Sequence, residues 1–241
     1  MFFILRKRTV VGFVLFCALL LCAGLTVRSD GVQAVLAHLH QAHTVVVIDA
    51  GHGGEDGGAV ARDGTVESHI NLAIAGQLDA VLRFLGQDTV MVRTTDISVY
   101  SEGAKTLHEK KVSDLQNRVA LINAAPNGTL LSIHQNSMPG APRVQGAQAF
   151  HNEAGTPLAS AVQDALNLTI NPEKPKVPKR IPDTIYLMKH VNCPAVLVEC
   201  GFLSNPAETV ELQKPTYQTR LAVTIAAGFF RAQTRENTPI F

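Results

Sequence analysis

Three apolar runs in this chain end in residues that can bind a metal or move a proton. VVVIDAGH closes on His52, TLLSIHQN carries His134 near its end, and AVLVECGF carries Glu199. Glu67 stands just ahead of a run in which Ile70 and Ile74 recur at helical spacing. Two imidazoles and a carboxylate are a donor set for a divalent metal, and Glu67, at the N-terminal end of its helix, would sit on the same rim. Each residue also has an ordinary alternative. A histidine at a strand end can be a hydrogen-bonded surface residue, Glu67 in a first helical turn can be a favourable partner of the helix dipole, and Glu199 can be a simple rim acid. Jointly, two strands ending in His and one in Glu, with glycines around the first, are hard to attribute to sheet packing. The pattern alone leaves metal binding and a structural rim both open.

Other chemistries lack their residues. GHGGED has Asp56 where a dinucleotide fingerprint needs its third glycine, and no Gly-Lys-Ser/Thr follows to make a phosphate loop. HEKKV at His108 begins like a zinc-protease helix but has Val112 in place of the second histidine. Cys200, beside Glu199 at the end of an apolar strand, reads as a buried structural thiol rather than a nucleophile.

The elements that must position these residues alternate. VVVID (Val45 to Asp49) reads as a buried strand. A helix follows with Ile70, Ile74, Leu78, Val81, Leu82 and Leu85 on its apolar face, stopping at Gly86, and TVMVR (Thr89 to Arg93) reads as a second strand. The segment SDLQNRVALINAA opens with a Ser113-x-x-Gln116 capping box and leads to the strand Thr129 to His134. A strand GAQAF (Gly146 to Phe150), a helix from Pro157 to about Leu168, strands TIYLM and PAVLVEC, and a final helix from about Tyr217 to Ala232 complete the series. Such alternation predicts an α/β fold, a single domain with a mainly parallel twisted sheet and helices on both faces. In an open sheet of this kind ligands bind beyond the carboxyl ends of the strands, which brings His52, His134 and Glu199 to one rim. Two irregular segments remain, Ile97 to Lys111 and the proline-rich basic stretch Asn171 to Asp183, which reads as a surface loop or lid.

The front of the chain is of another kind. Arg6, Lys7 and Arg8 precede an uncharged apolar stretch from Thr9 to Val27, which reads equally as a cleaved export signal or a retained membrane anchor. The expected organisation is a signal or anchor over residues 1–30, a linker over 31–43 that includes His38, His40 and His43, a catalytic domain over 44–235 and a tail over 236–241. The domain then works outside the cytoplasm, secreted or anchored at the outer face of the membrane, with the membrane touched only through the N-terminal segment. Residues 1–30 hold four basic residues and one acid, so the 21 Lys+Arg and 20 Asp+Glu of the chain fall to 17 and 19 beyond them, a net −2 that argues against nucleic acid as a partner. Of the four cysteines only Cys193 and Cys200 lie in the domain, as a disulfide or as buried thiols.

With these residues in view, the sequence resembles the zinc-dependent N-acetylmuramoyl-L-alanine amidases, cell-wall hydrolases with IDxGHGG, SIHxN and VExGFLSN blocks. They stand here as IDAGHGGEDGGAV, LSIHQNS and LVECGFLSNPAE, in the family's order, with Glu67 in VESHINLAIA as the family's glutamate. The resemblance spans roughly Thr44 to Arg231. It implies one Zn2+ held by His52, Glu67 and His134, with Glu199 as the catalytic carboxylate, and hydrolysis of the amide between the lactyl carbonyl of muramic acid and L-alanine in peptidoglycan. Asp49 is then expected to hold the ring of a ligand histidine, Asn136 to face the stem peptide, the loop cations Lys174, Lys176, Lys179 and Arg180 to be solvated loop charge or else to face the stem peptide too, and Glu55 and Asp56 to be solvent-facing turn residues. Within the family the blocks look most like the germination-type amidases of endospore formers, whose work permits muramic lactam to form in spore cortex. The alternatives are a vegetative wall or cell-separation amidase, a non-catalytic peptidoglycan-binding module on the same fold, and a zinc exopeptidase acting on the stem peptide. An activating protein partner is compatible with any of the enzymatic readings.

Overall fold

The computed structural model describes residues 44–236; the expectations for the export segment, for the linker of residues 31–43 and for residues 237–241 lie outside the described residues. Strand β1 (Val45–Ala50) forms from the β-branched run and pairs in parallel with β2 (Thr89–Met91) on one side and β3 (Gly128–Asn136) on the other. Strand β6 (Ala195–Phe202) runs parallel to β3, and β4 (Gln148–His151) joins β6 antiparallel, with β5 (Lys179–Arg180) beyond it. The six-stranded order is β2-β1-β3-β6-β4-β5, a mainly parallel sheet.

Helices cover both faces. Helix α1 (Glu67–Phe84) lays Ile70, Ile74, Leu78 and Leu82 on the face formed by Val46, Ile48, Leu131, Ile133, Val196 and Val198, together with α3 (Thr156–Thr169) and α6 (Pro215–Glu236). The other face packs Val47, Leu130 and Leu197 against Ile122 of α2 (Leu107–Ala124) and against Leu187 and Met188 of α4 (Tyr186–His190). The short helix α5 (Pro206–Leu212) follows β6. Full burial of each such Ile or Leu is worth roughly 1.5–3 kcal/mol, and a one-residue slip would turn a strand's whole apolar set to the wrong side. The strand phase is therefore fixed, and with it the placement of the alternate residues Asp49, Ser132, His134 and Glu199 on the α2 side of the sheet.

Two local expectations are corrected, and one left open is decided. Helix α2 starts at Leu107, because the capping box that forms is Thr106 with Glu109; the Ser113 hydroxyl, well inside the helix, accepts from Ser101 N–H at 2.9 Å instead. TIYLM is not a strand: Tyr186–His190 is one turn of helix, placed over the α2 face by Leu187 and Met188. A five-residue apolar run suits either element, and the sheet edge it would have taken is occupied by Lys179–Arg180 pairing with Phe150 and His151. Cys193 and Cys200 are both buried free thiols, packed in the clusters on opposite faces of the sheet.

Candidate metal centre

The chain leaves β1 through Gly51, whose N–H donates to Ile133 O at 3.0 Å, and enters His52 at φ 61°, the left-handed region that L-residues seldom adopt. Two buried arginines hold this turn. Arg93 donates to Ala50 O at 2.8 Å, Gly51 O at 3.1 Å and Ser68 O at 2.8 Å. Arg118 of α2 donates to Asp49 Oδ1 at 2.6 Å, to Ala50 O at 3.1 Å and to His52 O at 2.8 Å, with its Nε on Asp114 at 2.6 Å. Carbonyls that would otherwise end a strand unpaired are thus met by charged donors from distant parts of the chain, which fixes the direction in which His52 leaves the sheet.

Glu67 is the first residue of α1 and only 3% exposed. Its Oε2 accepts from Ala59 N–H at 2.8 Å, while Oε1 accepts from Gln135 N–H at 3.1 Å and from the buried Asn71 amide at 3.2 Å. The same Oε1 lies 3.1 Å from His134 Nδ1 and 3.4 Å from His52 Nε2. Burial alone pushes the Glu67 carboxyl up, but the hydrogen bonds and charges of His134 and His52 more than offset it and hold the group well below the usual carboxylate range. The two rings meet edge to face with centroids 5.1 Å apart.

Glycine is what lets these groups converge. A Cβ on Gly51 would sit 2.2 Å from the His134 ring, and one on Gly58, at φ +71°, would sit 2.6 Å from Glu67 Oε2 and 2.7 Å from His52 Cδ2. One donor atom each from His52, Glu67 and His134 lies within 4.8 Å of the others. A tetrahedral ion with bonds of about 2.0–2.2 Å separates its ligand atoms by roughly 3.3 Å, which the 3.1 and 3.4 Å distances match. Three protein donors of this kind can hold a divalent metal and leave a fourth position open.

Glu199 is the register partner of His134 on the adjacent parallel strand and shares its face. Its Oε2 is shielded from solvent and has no hydrogen-bond partner among the described residues. Burial, reinforced by Glu67 and opposed by the two histidines, pushes its carboxyl up to about 7. A carboxyl poised there can hold a proton or release it at neutral pH.

The structure places the remaining expected residues as follows. Asp49 bonds no imidazole among the described residues. Its two oxygens accept from Arg118 and, at 2.7 Å, from the Ser132 hydroxyl, and although burial pushes its carboxyl up, the Arg118 and His134 charges and these bonds hold it low. The ring contact belongs to Asp56, whose Oδ2 lies 3.1 Å from His52 Nδ1, so Asp56 is not a free turn residue; Glu55 pairs with Lys110 at 2.7 Å. Asn136 closes β3, and its carbonyl accepts from Leu203 N–H at 2.8 Å. The basic stretch is a surface loop, anchored at Lys176. Lys176 donates to Gly146 O at 2.5 Å and lies 4.8 Å over the Phe202 ring, and Arg180, paired with His151, runs toward the opposite end of the sheet. A cleft of about 190 Å³ adjoins the cluster, lined by His52, Asp56, Tyr100, Leu107, Lys110 and Lys111. The arginines, Asn71 and Gln135 carried no signal along the sequence, because their partners lie far away in it.

A mainly parallel α/β sheet with this rim defines an enzyme domain whose site lies at the carboxyl ends of its strands. Residues 46–231 match the profile of the N-acetylmuramoyl-L-alanine amidase family, and the chain belongs to that family. It is 37% identical over 201 residues to the germination-specific N-acetylmuramoyl-L-alanine amidase of Bacillus subtilis, covering 81% of this chain and 82% of that one. Its fold resembles the CwlD amidase of Clostridioides difficile, solved in complex with the GerS lipoprotein, with TM-score 0.76 and 34% identity over 79% of this chain and 98% of that one. The catalytic domain of the amidase CwlV from Paenibacillus polymyxa superimposes with TM-score 0.64 at 27% identity, over 79% of this chain and 98% of that one. The chain is accordingly a peptidoglycan amidase.

Proposed function

We propose that residues 44–235 form a zinc-dependent amidase that cuts the bond between N-acetylmuramic acid and L-alanine, with His52, Glu67 and His134 as the metal ligands and Glu199 as the catalytic carboxylate. The observation that carries the reading is the juxtaposition of a three-donor cluster with a buried carboxyl whose Oε2 has no partner among the described residues. Zinc held there supplies Lewis acidity that polarises the amide carbonyl and eases ionisation of the attacking water. Glu199, in register beside His134, takes the proton of that water on Oε2 and returns it to the nitrogen of the leaving L-alanine. Such a role is worth about 10²- to 10⁴-fold in rate. Burial serves both halves of the cycle, since a carboxyl of ordinary acidity would accept the proton but hold it too weakly at neutral pH to deliver it usefully.

The spore role rests on likeness to the Bacillus subtilis germination-specific amidase. In this reading the enzyme removes stem peptides from cortex glycan before muramic lactam forms, and the N-terminal apolar segment exports the domain or holds it at the outer face of the membrane. A protein partner of the lipoprotein class is part of the proposal, because the similar CwlD enzyme was solved with one.

Incubating the domain with purified peptidoglycan and zinc tests the reaction. Free stem peptides and peptide-free glycan are expected; release of free amino acids would mark an exopeptidase, and binding without any product would mark a wall-binding module. Glu199→Gln should abolish turnover with zinc content near wild type, whereas His134→Ala should lose the metal. A Glu199→Gln enzyme that still turned over would refute the acid–base assignment. For the spore role, expression in Bacillus subtilis lacking its germination-specific amidase should restore muramic lactam, and failure by an active enzyme would favour vegetative wall work.

A further inference from the structure

We infer that Asp56 is a positioning residue of the metal centre, one that selects which nitrogen of His52 faces the metal and so sets the affinity of the site. The inference rests on the metal-binding reading of His52, Glu67 and His134. Imidazole has two nitrogens, and a neutral ring can present only the unprotonated one to a metal. At His52 the two are sorted by carboxylates on opposite edges: Nε2 faces Glu67 Oε1 at 3.4 Å, inside the donor cluster, and Nδ1 faces Asp56 Oδ2 at 3.1 Å, outside it. An acceptor on the outer edge retains the proton on Nδ1 and leaves the Nε2 lone pair directed inward. A ring so held also loses less rotational freedom on binding the ion.

Asp56 is itself well placed for this. Its other oxygen accepts from Gly58 N–H at 3.2 Å, and its backbone pairs with Gly53, N–H to carbonyl in both directions, at 2.8 and 3.2 Å. The carboxylate is thereby carried on the same small loop as the ring it orients, between glycines whose backbone conformations bring the two together. Lys111 of α2 lies 3.6 Å from Asp56 Oδ2 and favours its charged form. Asp56 is the acidic residue of the loop turned toward the ring, since the neighbouring Glu55 is engaged by Lys110. Among the described residues His134 has no equivalent device: its Nδ1 faces Glu67, and its other edge lies over Gly51. The two ligand rings are therefore fixed by different means, one by a carboxylate and the other by packing on a glycine.

Outer carboxylates on metal-bound histidines typically contribute about 10- to 100-fold in metal affinity. Asp56→Ala should accordingly weaken zinc binding by about that factor in a chelator competition, and Asp56→Asn, whose amide oxygen can still accept from Nδ1, should recover most of the loss. The Asp56 side chain is 41% exposed, so the thermal midpoint of the metal-free protein should change little in either variant, which separates positioning from folding. Nitrogen chemical shifts of imidazole-labelled, metal-free protein at alkaline pH report the tautomer directly. They should show His52 protonated on Nδ1 in the wild type, where Asp56 at 3.1 Å is nearer than Glu67 at 3.4 Å, and shifted toward Nε2 in Asp56→Ala, where Glu67 is the acceptor left on the ring. The assignment is overturned if Asp56→Ala binds zinc within twofold of wild type, or if the His52 tautomer is the same in both proteins. Wild-type protein that took up no zinc would overturn the metal reading instead, and the tautomer measurement would still decide whether Asp56 orients the ring.

Discussion

Glu199 should make the metal-free enzyme less stable as the pH rises, and replacing it with glutamine should remove that loss. Burial moves its carboxyl from the usual 4.5 to about 7. Below 4.5 the group is protonated in both folded and unfolded chains. Between 4.5 and 7 the unfolded chain releases the proton while the folded one retains it, so stability falls with pH; above 7 both are ionised and the loss is complete. At about 1.4 kcal/mol per pKa unit the loss amounts to about 3 kcal/mol, a sizeable share of the 5–15 kcal/mol that holds a typical domain together. Two neighbours set the background. Glu67 is held low, so its contribution is complete above the usual carboxylate range and is lost only as the pH falls through its folded value, leaving it constant from pH 5 to 8. At His52 burial lowers the pKa, but Glu67 and Asp56 more than offset this and raise it, so its contribution is lost as the pH rises through its folded value, the same sign as Glu199. Urea unfolding of wild type and Glu199→Gln at pH 5 and pH 8, both freed of metal by chelator, separates the effects, since the histidine is common to both proteins. Wild type should lose about 2–3 kcal/mol more than the variant over that interval, and the variant should be the more stable of the two at pH 8. Equal losses in the two proteins would refute the claim that the fold stores free energy in a buried carboxyl at this rim.

Two further substitutions test the frame around the cluster. Gly58→Ala should lower zinc affinity and destabilise the fold by about 1–3 kcal/mol, because the added methyl meets Glu67 Oε2 at 2.6 Å on a backbone with φ +71°; calorimetry with and without zinc would show it. Arg118→Met should cost about 3–5 kcal/mol in denaturant unfolding, since it leaves Asp49 buried beside Ser132 without its cation and frees the carbonyl of His52.

The features legible in the sequence are those that depend on period and on strand ends. A β-branched run that stops at a histidine, and another that stops one residue beyond a glutamate, already state which residues reach the rim, because the phase of each strand is locked by its buried partners. Glu67 was legible for a related reason, as the acid at the start of an amphipathic helix. Asp49 shows the limit of that logic. Its phase correctly puts it on the face of His134, yet which neighbour it bonds depends on a side chain 69 residues away, and Arg118 reaches it with the register partner Ser132. The same holds for Asp56, which in sequence is one more polar residue in a glycine-rich turn. Its relation to His52 appears only once the Gly53 bridge closes and His52 takes its left-handed conformation. The start of α2 was misplaced for a local reason. Its first turns, LHEKKV, are largely exposed and carry little apolar periodicity, so the period does not mark the start; the box of Thr106 with Glu109 does, and the added turns carry Lys110 and Lys111 to Glu55 and Asp56. The early start of α2 and the fixing of the metal loop are therefore one feature of the chain: without the turns before Ser113, neither acid of the GHGGED loop would have its cation.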